Sequence, residues 1–166
     1  MLAMSIADNL IAASHDRVSD GPFINQGKVR DAVAEGIAKL QIKVASPDDI
    51  VSTLSGGNQQ KVVIAKWLMT DPDVILLNDP TRGIDVGTKQ EIYKLIRELA
   101  DRGKTILLYS SDYDELVGCC DRVVVMYDGE IVSKLSGDDI NGEAIVAASL
   151  NVGMQASTPA AGVNHD

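Results

Sequence analysis

The segment best suited to chemistry is a serine and two glycines directly before a predicted helix, Ser55-Gly56-Gly57 in the run LSGGNQQK. Unpaired backbone N–H groups and the positive end of the helix dipole meet at such a helix start, so it can bind an anion such as phosphate. The Ser55 hydroxyl adds a donor, and glycine lets the backbone approach the anion closely. Taken alone, such a turn is more often an ordinary loop, so its interpretation depends on the surrounding sequence.

A second polar group follows the apolar run of residues 74–77, which ends in Asn78 and Asp79. A continuous apolar run of this kind predicts a strand buried on both faces of a parallel sheet. In P-loop nucleotide hydrolases, groups at such a strand end position Mg²⁺ and the attacking water. A polar strand end without chemistry is the plainer alternative.

Three motifs, in this order and spacing, resemble those of ABC ATPases. LSGGNQQK resembles the family's signature motif, ILLNDP its Walker B strand, and Gly83-Ile84-Asp85 its D-loop. Asn58, together with the run PTRGIDVG, is similar to the second cassette of fused importers for ribose, galactose and related sugars. The resemblance covers roughly residues 1–150. It implies an α/β fold of the P-loop NTPase-like ABC cassette type, with a helical lobe followed by a parallel β/α core and a C-terminal hairpin.

The resemblance also implies roles for individual residues. Two lie at catalytic positions, Asp79 and Ser111. Seven lie at nucleotide-binding positions: Ser55, Gly56, Gly57, Asn58, Gln59, Asn78 and Asp85. ATP and Mg²⁺ are the implied cofactors of the full assembly, and we expect no metal site built from protein ligands alone.

Two of these positions depart from the family pattern. Walker B strands normally end in Asp-Glu, whereas this one ends in Asn78-Asp79. Asn78 removes a negative charge beside the cation, and the Asp79 carboxylate falls short of the Glu position by about 1 Å, a misplacement that can cost on the order of 100-fold in rate. Ser111 replaces the switch histidine, a substitution familiar in second cassettes of sugar importers. We therefore expect hydrolysis at this cassette's own site to be weak.

A P-loop of the form G-x-x-x-x-G-K-[ST] is needed to wrap the phosphates of ATP, and the sequence has no match. Gly21 and Gly27 are one residue too far apart, and Val29 replaces the required Ser or Thr. The Gly103-Lys104-Thr105 run fails because Glu98 occupies the first glycine position. We expect the chain to be the C-terminal part of a cassette and not to bind ATP tightly alone.

The hydrophobic pattern predicts the elements that carry these motifs. Helices are expected at residues 5–13, 28–40, 58–69, 112–119 and 142–149, and over a stripe from Ile92 to Leu99 that ends at a Gly103 cap. Ser5 is the expected N-cap of the first helix. Strands are expected at 74–77, 105–109 and 122–127, the last paired with 130–133 through an Asp128-Gly129 turn. Trp67 is expected to pack inside the helical lobe. The predicted regions are residues 1–70, a helical subdomain, 71–150, an ATPase core, and 151–166, a fraying tail.

Composition narrows the class of protein further. The 166 residues are 45% hydrophobic, enough for an apolar core, and the formal net charge of −9 argues against a nucleic-acid surface. No apolar run reaches the length of a membrane span, and the start lacks the pattern of a signal peptide. The adjacent Cys119 and Cys120 suit neither a disulfide framework nor a zinc site. We expect a cytoplasmic chain, peripheral on the inner face of the membrane.

The leading hypothesis is an energy-coupling subunit of an ABC sugar importer. Its partners would be a second cassette, membrane permease subunits and, indirectly, a sugar-binding protein. One alternative is a soluble ABC ATPase that acts on DNA or ribosomes, which the net charge and PTRGIDVG disfavour. Another is a non-catalytic module that works only by pairing. Exposed sheet edges could also drive self-association.

Overall fold

The computed structural model describes residues 1–150. The chain divides into two compact units, Met1–Tyr109 and a second unit that begins at Ser110. The predicted boundary between residues 70 and 71 stays a prediction, and the predicted tail at 151–166 lies outside the described residues.

The first unit begins with helices and ends with a parallel pair of strands joined by a helix. Its elements are α1 (Ile6–Ile11), α2 (His15–Val18), β1 (Ser19–Asp20), β2 (Phe23–Ile24), α3 (Gln26–Lys39), α4 (Gly56–Leu68), β3 (Val74–Asn78), α5 (Val86–Asp101) and β4 (Thr105–Tyr109). A short 3₁₀ turn, Val51–Thr53, precedes α4. The small β1–β2 hairpin was not predicted; it turns at Gly21, whose φ is +61°.

Helix α1 forms the centre of the helical part and packs against α3 and α4. It begins as predicted, because the Ser5 hydroxyl accepts a hydrogen bond of 3.0 Å from the Asp8 N–H. Ile6 and Leu10 are fully buried. Gly36 lets α3 come close, since a Cβ there would lie 3.3 Å from the Met69 sulfur. The core of this part is therefore made by three helices.

Strands β3 and β4 form a parallel pair in register from Val74 opposite Thr105 to Asn78 opposite Tyr109. Helix α5 connects them, and its predicted apolar stripe is confirmed by the burial of Ile92, Ile96 and Leu99. Gly103 ends the helix with a φ of +86°, as the predicted cap requires.

The prediction that these strands are buried on both faces is wrong. Successive side chains of a strand point to opposite faces, and residues 1–109 cover only the face that carries Ile75. The other face, here called the exposed sheet face, carries the apolar side chains of Val74, Leu76, Leu107 and Tyr109, which are 58%, 72%, 66% and 63% exposed. The polar Thr105 and Asn78 lie at its two ends. An apolar run alone does not tell how many faces are covered.

The prediction that Trp67 packs inside the helical lobe is also wrong. Trp67 is 56% exposed and, with Val63, lines a groove of about 360 Å³ that continues onto Val74 and Leu76. The buried side of α4 is formed instead by Val62, Ile64, Ala65 and Leu68. The helix therefore has an apolar stripe on its outer side as well.

The second unit is described from residue 110 to residue 150. It contains α6 (Tyr113–Cys119), β5 (Arg122–Tyr127), β6 (Glu130–Ser136) and α7 (Gly142–Ser149). The predicted hairpin is confirmed: Asp128 and Gly129 have φ of +48° and +81°. Val123, Val125 and Ile145 form the core of this unit.

No helix within residues 1–150 combines the length and the apolar content needed to cross a membrane.

Candidate functional site

The glycine turn lies at the start of α4, where Ser55 is the N-cap residue with extended backbone, φ −60° and ψ 153°. The turn is fixed from both sides: Leu54 N–H donates to Val51 O, and the Gln59 amide donates to Leu54 O at 2.8 Å. The Ser55 side chain makes no capping bond to the first turn. The first-turn N–H groups and the positive helix end are therefore not taken by a cap of this helix's own.

Asn58 determines where the Ser55 hydroxyl lies. Its side-chain N–H₂ donates to Ser55 Oγ at 2.9 Å, and its carbonyl oxygen accepts from the Lys43 backbone N–H at 3.0 Å. Asn58 thus ties the turn to the loop before it. Because Oγ accepts this bond, the hydroxyl proton of the exposed Ser55 can be donated outward, in the direction an anion would approach.

The two glycines differ in their surroundings. Gly56 is exposed, and a Cβ built on it would meet nothing within 4 Å. Gly57 is buried, and a Cβ there would lie 2.6 Å from Thr88 Cγ2 and 2.7 Å from Thr88 Oγ1. At Gly57 the structure gives a packing reason for glycine, whereas the open space needed for close approach of an anion is found at Gly56.

Asp85 is the N-cap residue of α5, and both of its carboxylate oxygens bind Thr88. Oδ1 accepts from the Thr88 backbone N–H at 3.0 Å, and Oδ2 accepts from the Thr88 hydroxyl at 2.8 Å. The first of these bonds, followed by the second, holds the pKa of Asp85 below its ordinary value. Thr88 therefore connects Asp85 to Gly57.

An ion pair joins the same two helices one turn further along. Lys61 Nζ lies 2.5 Å from Glu91 Oε2, and the Lys61 side chain is only 6% exposed. Lys61 also donates to the Gln41 carbonyl at 3.4 Å. The hydrogen bond from Lys61 is the main reason that the pKa of Glu91 is lowered.

Asn78 and Asp79 lie at the carboxyl end of β3, the end of parallel strands where ligands bind in open α/β sheets. Asp79 has a φ of +43°, and its backbone N–H donates to Tyr109 O at 2.8 Å. The chain turns sharply there into the buried Pro80 and Thr81. Asn78 is exposed and Asp79 is half-buried.

The structure brings part of the predicted set together. Ser55, Gly56, Gly57, Asn58 and Gln59 form one turn, and Asp85 joins it through Thr88. Asn78 and Asp79 form a second group in the same unit, while Ser111 is exposed and belongs to the second unit. No group of three His, Cys, Asp or Glu side chains suited to a metal ion occurs within residues 1–150.

Three residues of this region were not predicted from the sequence: Thr88, Lys61 and Glu91. A signal existed for Thr88, because it stands three residues after an Asp at a helix start, where an N-cap acceptor meets a backbone donor. No comparable signal pointed to the Lys61–Glu91 pair, whose partners belong to different helices.

Comparison with known proteins agrees with this fold. The sequence model of the family described as ABC transporter matches residues 3–82. A ribose import ATP-binding protein of Rhizobium etli is 58% identical over 153 residues, which is 92% of this chain and 30% of that protein. A putative ribose/galactose/methyl galactoside import ATP-binding protein of Halalkalibacterium halodurans is 43% identical over 145 residues, 87% of this chain and 28% of that protein.

Solved structures show the same fold. A dimeric ATP-binding cassette in a post-hydrolysis state with bound ADP and phosphate superposes with a TM-score of 0.69 at 23% identity, over 82% of this chain and 58% of that one. Another ABC transporter cassette gives 0.73 at 23% identity, over 89% and 62%. Residues 3–82 therefore belong to the ABC transporter family, and 92% of the chain is similar to an ATP-binding protein of that kind. It spans about 30% of the length of the curated relatives it matches.

Proposed function

We propose that this chain acts as part of the second cassette of an ABC sugar-importer ATPase, and that the start of α4 completes the ATP site of a partner cassette. The observation that carries this proposal is the uncapped start of α4, open in front of Gly56. The similarity of the chain to ribose import ATP-binding proteins supports sugar import as the process that the ATPase drives. The sugar itself would be selected by other components of such a system.

The turn fits the phosphate end of ATP. The N–H groups of Gly56 and Gly57 and the Ser55 hydroxyl would donate to phosphate oxygens, and the helix dipole would favour their negative charge. Asn58 would act by holding the serine oxygen in place. The partner cassette would supply the P-loop, and ATP with Mg²⁺ would be the cofactors of the assembly.

The Walker B end fits Mg²⁺ poorly. Asn78 brings no negative charge to the cation, and within residues 1–150 no cluster of three His, Cys, Asp or Glu side chains could hold a metal ion. The Asp79 backbone is held by its left-handed conformation and by the bond to Tyr109 O, so its short side chain starts from a fixed point and is one methylene shorter than the Glu normally found there. We infer that hydrolysis at this cassette's own site is weak, with Asp79 and Ser111 at the catalytic positions.

The expected partners follow from the same proposal. Permease subunits would contact the helical region, residues 1–70, and the chain would lie on the cytoplasmic face of the membrane, with a sugar-binding protein acting through the permease. Self-association through the sheet stays a prediction. The exposed sheet face favours one second candidate, a non-catalytic module that functions by pairing with another polypeptide. Co-purification of the chain with a permease would favour the importer over this candidate.

A direct test combines this chain with an ABC cassette that retains its P-loop and measures association with and without MgATP. We expect MgATP to promote association, and Ser55→Arg to abolish it, because a bulky cation would fill the phosphate position. Ser52→Arg, an identical change at an exposed serine of the preceding turn, is the matched control and should leave association intact.

Asp79→Asn separates the two sites of the proposal. This change should leave MgATP-dependent association unaltered, since Asp79 belongs to the site we infer to be weak. Calorimetry of MgATP with the chain alone should give no binding signal. Equal loss of association in Ser55→Arg and Asp79→Asn, or tight binding of MgATP by the chain alone, would contradict the proposal.

A further inference from the structure

The starts of α4 and α5 come close together at Gly57 and Thr88. Among the glycines within residues 1–150, Gly57 leaves the least room for a side chain, and the group that fills this space is Thr88. Both its methyl carbon and its hydroxyl oxygen lie within 2.7 Å of where a Cβ would be. Any movement of Thr88 toward α4 therefore displaces the backbone of the glycine turn.

Thr88 is held in this position by Asp85. The backbone N–H and the hydroxyl of Thr88 bind the two oxygens of the same carboxylate, so both its backbone and its side-chain rotamer are fixed. The Lys61–Glu91 ion pair holds the two helices together one turn further along. The distance between the helix starts is thus set by contacts at two levels.

We propose that Thr88 is a positioning residue, which holds the glycine turn of α4 at a fixed distance from Asp85 and makes the two helix starts move as one body. The proposal rests on the proposed function, in which the turn binds the phosphates of ATP. Asp85 then has a role inside its own cassette: it orders Thr88, and through Thr88 it sets the direction of the Gly57 N–H group.

Thr88→Val and Thr88→Ser separate positioning from packing. Valine keeps the branched shape that fills the space beside Gly57 but cannot donate to Asp85 Oδ2. Serine keeps the hydroxyl donor and loses only the methyl group. A role in packing alone would make serine the more damaging change, whereas a positioning role through the hydroxyl makes valine the more damaging one.

The first readout is the ATP concentration that gives half-maximal association with the P-loop cassette. We expect Thr88→Val to raise this ATP concentration by on the order of tenfold, because small misplacements of binding groups weaken binding strongly. Thr88→Ser should stay close to the unmodified chain. The melting temperature of Thr88→Val should change by less than about 3 °C, a small shift for a chain of this size.

The second readout is the NMR order parameter of the Gly57 backbone N–H in the chain alone, which we expect to be lower in Thr88→Val than in Thr88→Ser. An unchanged ATP requirement in Thr88→Val, or a greater loss in Thr88→Ser, would overturn the positioning role. The Ser55→Arg variant distinguishes the two proposals. If it has no effect on association, the proposed function fails; if it abolishes association while Thr88→Val behaves normally, only the positioning role fails.

Discussion

The neighbouring helices α4 and α5 begin with similar sequences but satisfy their first turns differently. Each has a residue type that is preferred at the N-cap, Ser55 in α4 and Asp85 in α5, followed by glycine in the first turn. Asp85 accepts the Thr88 N–H and so caps its helix. Ser55 makes no such bond and instead accepts from the Asn58 side chain. A capped start is closed to an anion, and an uncapped one is open to it.

The third residue of each helix accounts for this difference. In α5 it is Thr88, whose hydroxyl and N–H both donate to the cap residue. In α4 it is Asn58, whose side-chain amide takes the place of a backbone donor on the serine oxygen. The comparison teaches that an N-cap residue predicts a helix start reliably but does not predict whether that start is free to bind a ligand.

The glycines give the largest expected effect on stability. Gly57→Ala should lower the free energy of unfolding by roughly 1–3 kcal/mol, because the new methyl group overlaps Thr88. Gly56→Ala is the matched control on the same helix start, where a methyl group meets nothing within 4 Å. It should not destabilise the chain, since alanine favours a helix over glycine. Urea unfolding measures both; equal losses would mean that the two glycines are not in different surroundings.

The ion pair between the helices should give a smaller effect. Glu91→Gln leaves the buried Lys61 ammonium without its carboxylate and should cost roughly 1–2 kcal/mol, less than the ~3–5 kcal/mol of a fully buried pair, because Glu91 is half exposed. Adding Lys61→Met to Glu91→Gln should recover part of the loss, since no charge is then left buried. Thermal unfolding of the two variants provides the comparison. A double variant less stable than Glu91→Gln alone would contradict this account.

The smallest expected effect is the pH dependence of the α5 cap. The pKa of Asp85 is lowered in the folded chain, mainly by the Thr88 N–H, so its contribution to stability is present above the ordinary Asp range. That contribution is lost as the pH falls through the lowered pKa. The difference in melting temperature between the unmodified chain and Asp85→Asn should therefore shrink on going from pH 7 toward about pH 3. If the difference in melting temperature grew as the pH fell, the pKa of Asp85 would be raised and not lowered by folding.

Local features of the fold were predictable from the sequence. Four confirmed features depend on residues that are close together in the chain: the Ser5 cap, the apolar stripe on α5, the end of α5 at Gly103 and the Asp128-Gly129 hairpin. The coverage of β3 and the position of Trp67 were predicted wrongly. An apolar side chain in a strand or helix favours burial, but whether another element covers it is decided by distant parts of the chain.

In the candidate site, too, the features set by neighbouring residues were predictable and those set by distant residues were not. Its turn and its motif could be recognised from sequence because the residues are consecutive. The contact of Gly57 with Thr88 could not, because it joins two helices that a strand separates in the chain. Sequence reasoning gave both glycines one explanation, whereas the structure gives each a different one. The roles in binding ATP and in catalysis stay predictions for the experiments above.

The exposed sheet face affects how the chain would be treated inside a cell. Val74, Leu76, Leu107 and Tyr109 present a continuous apolar surface on two adjacent strands, which is the kind of surface that chaperones and proteases use to recognise incompletely folded proteins. The lifetime of the chain would then depend on how quickly this surface is covered after synthesis.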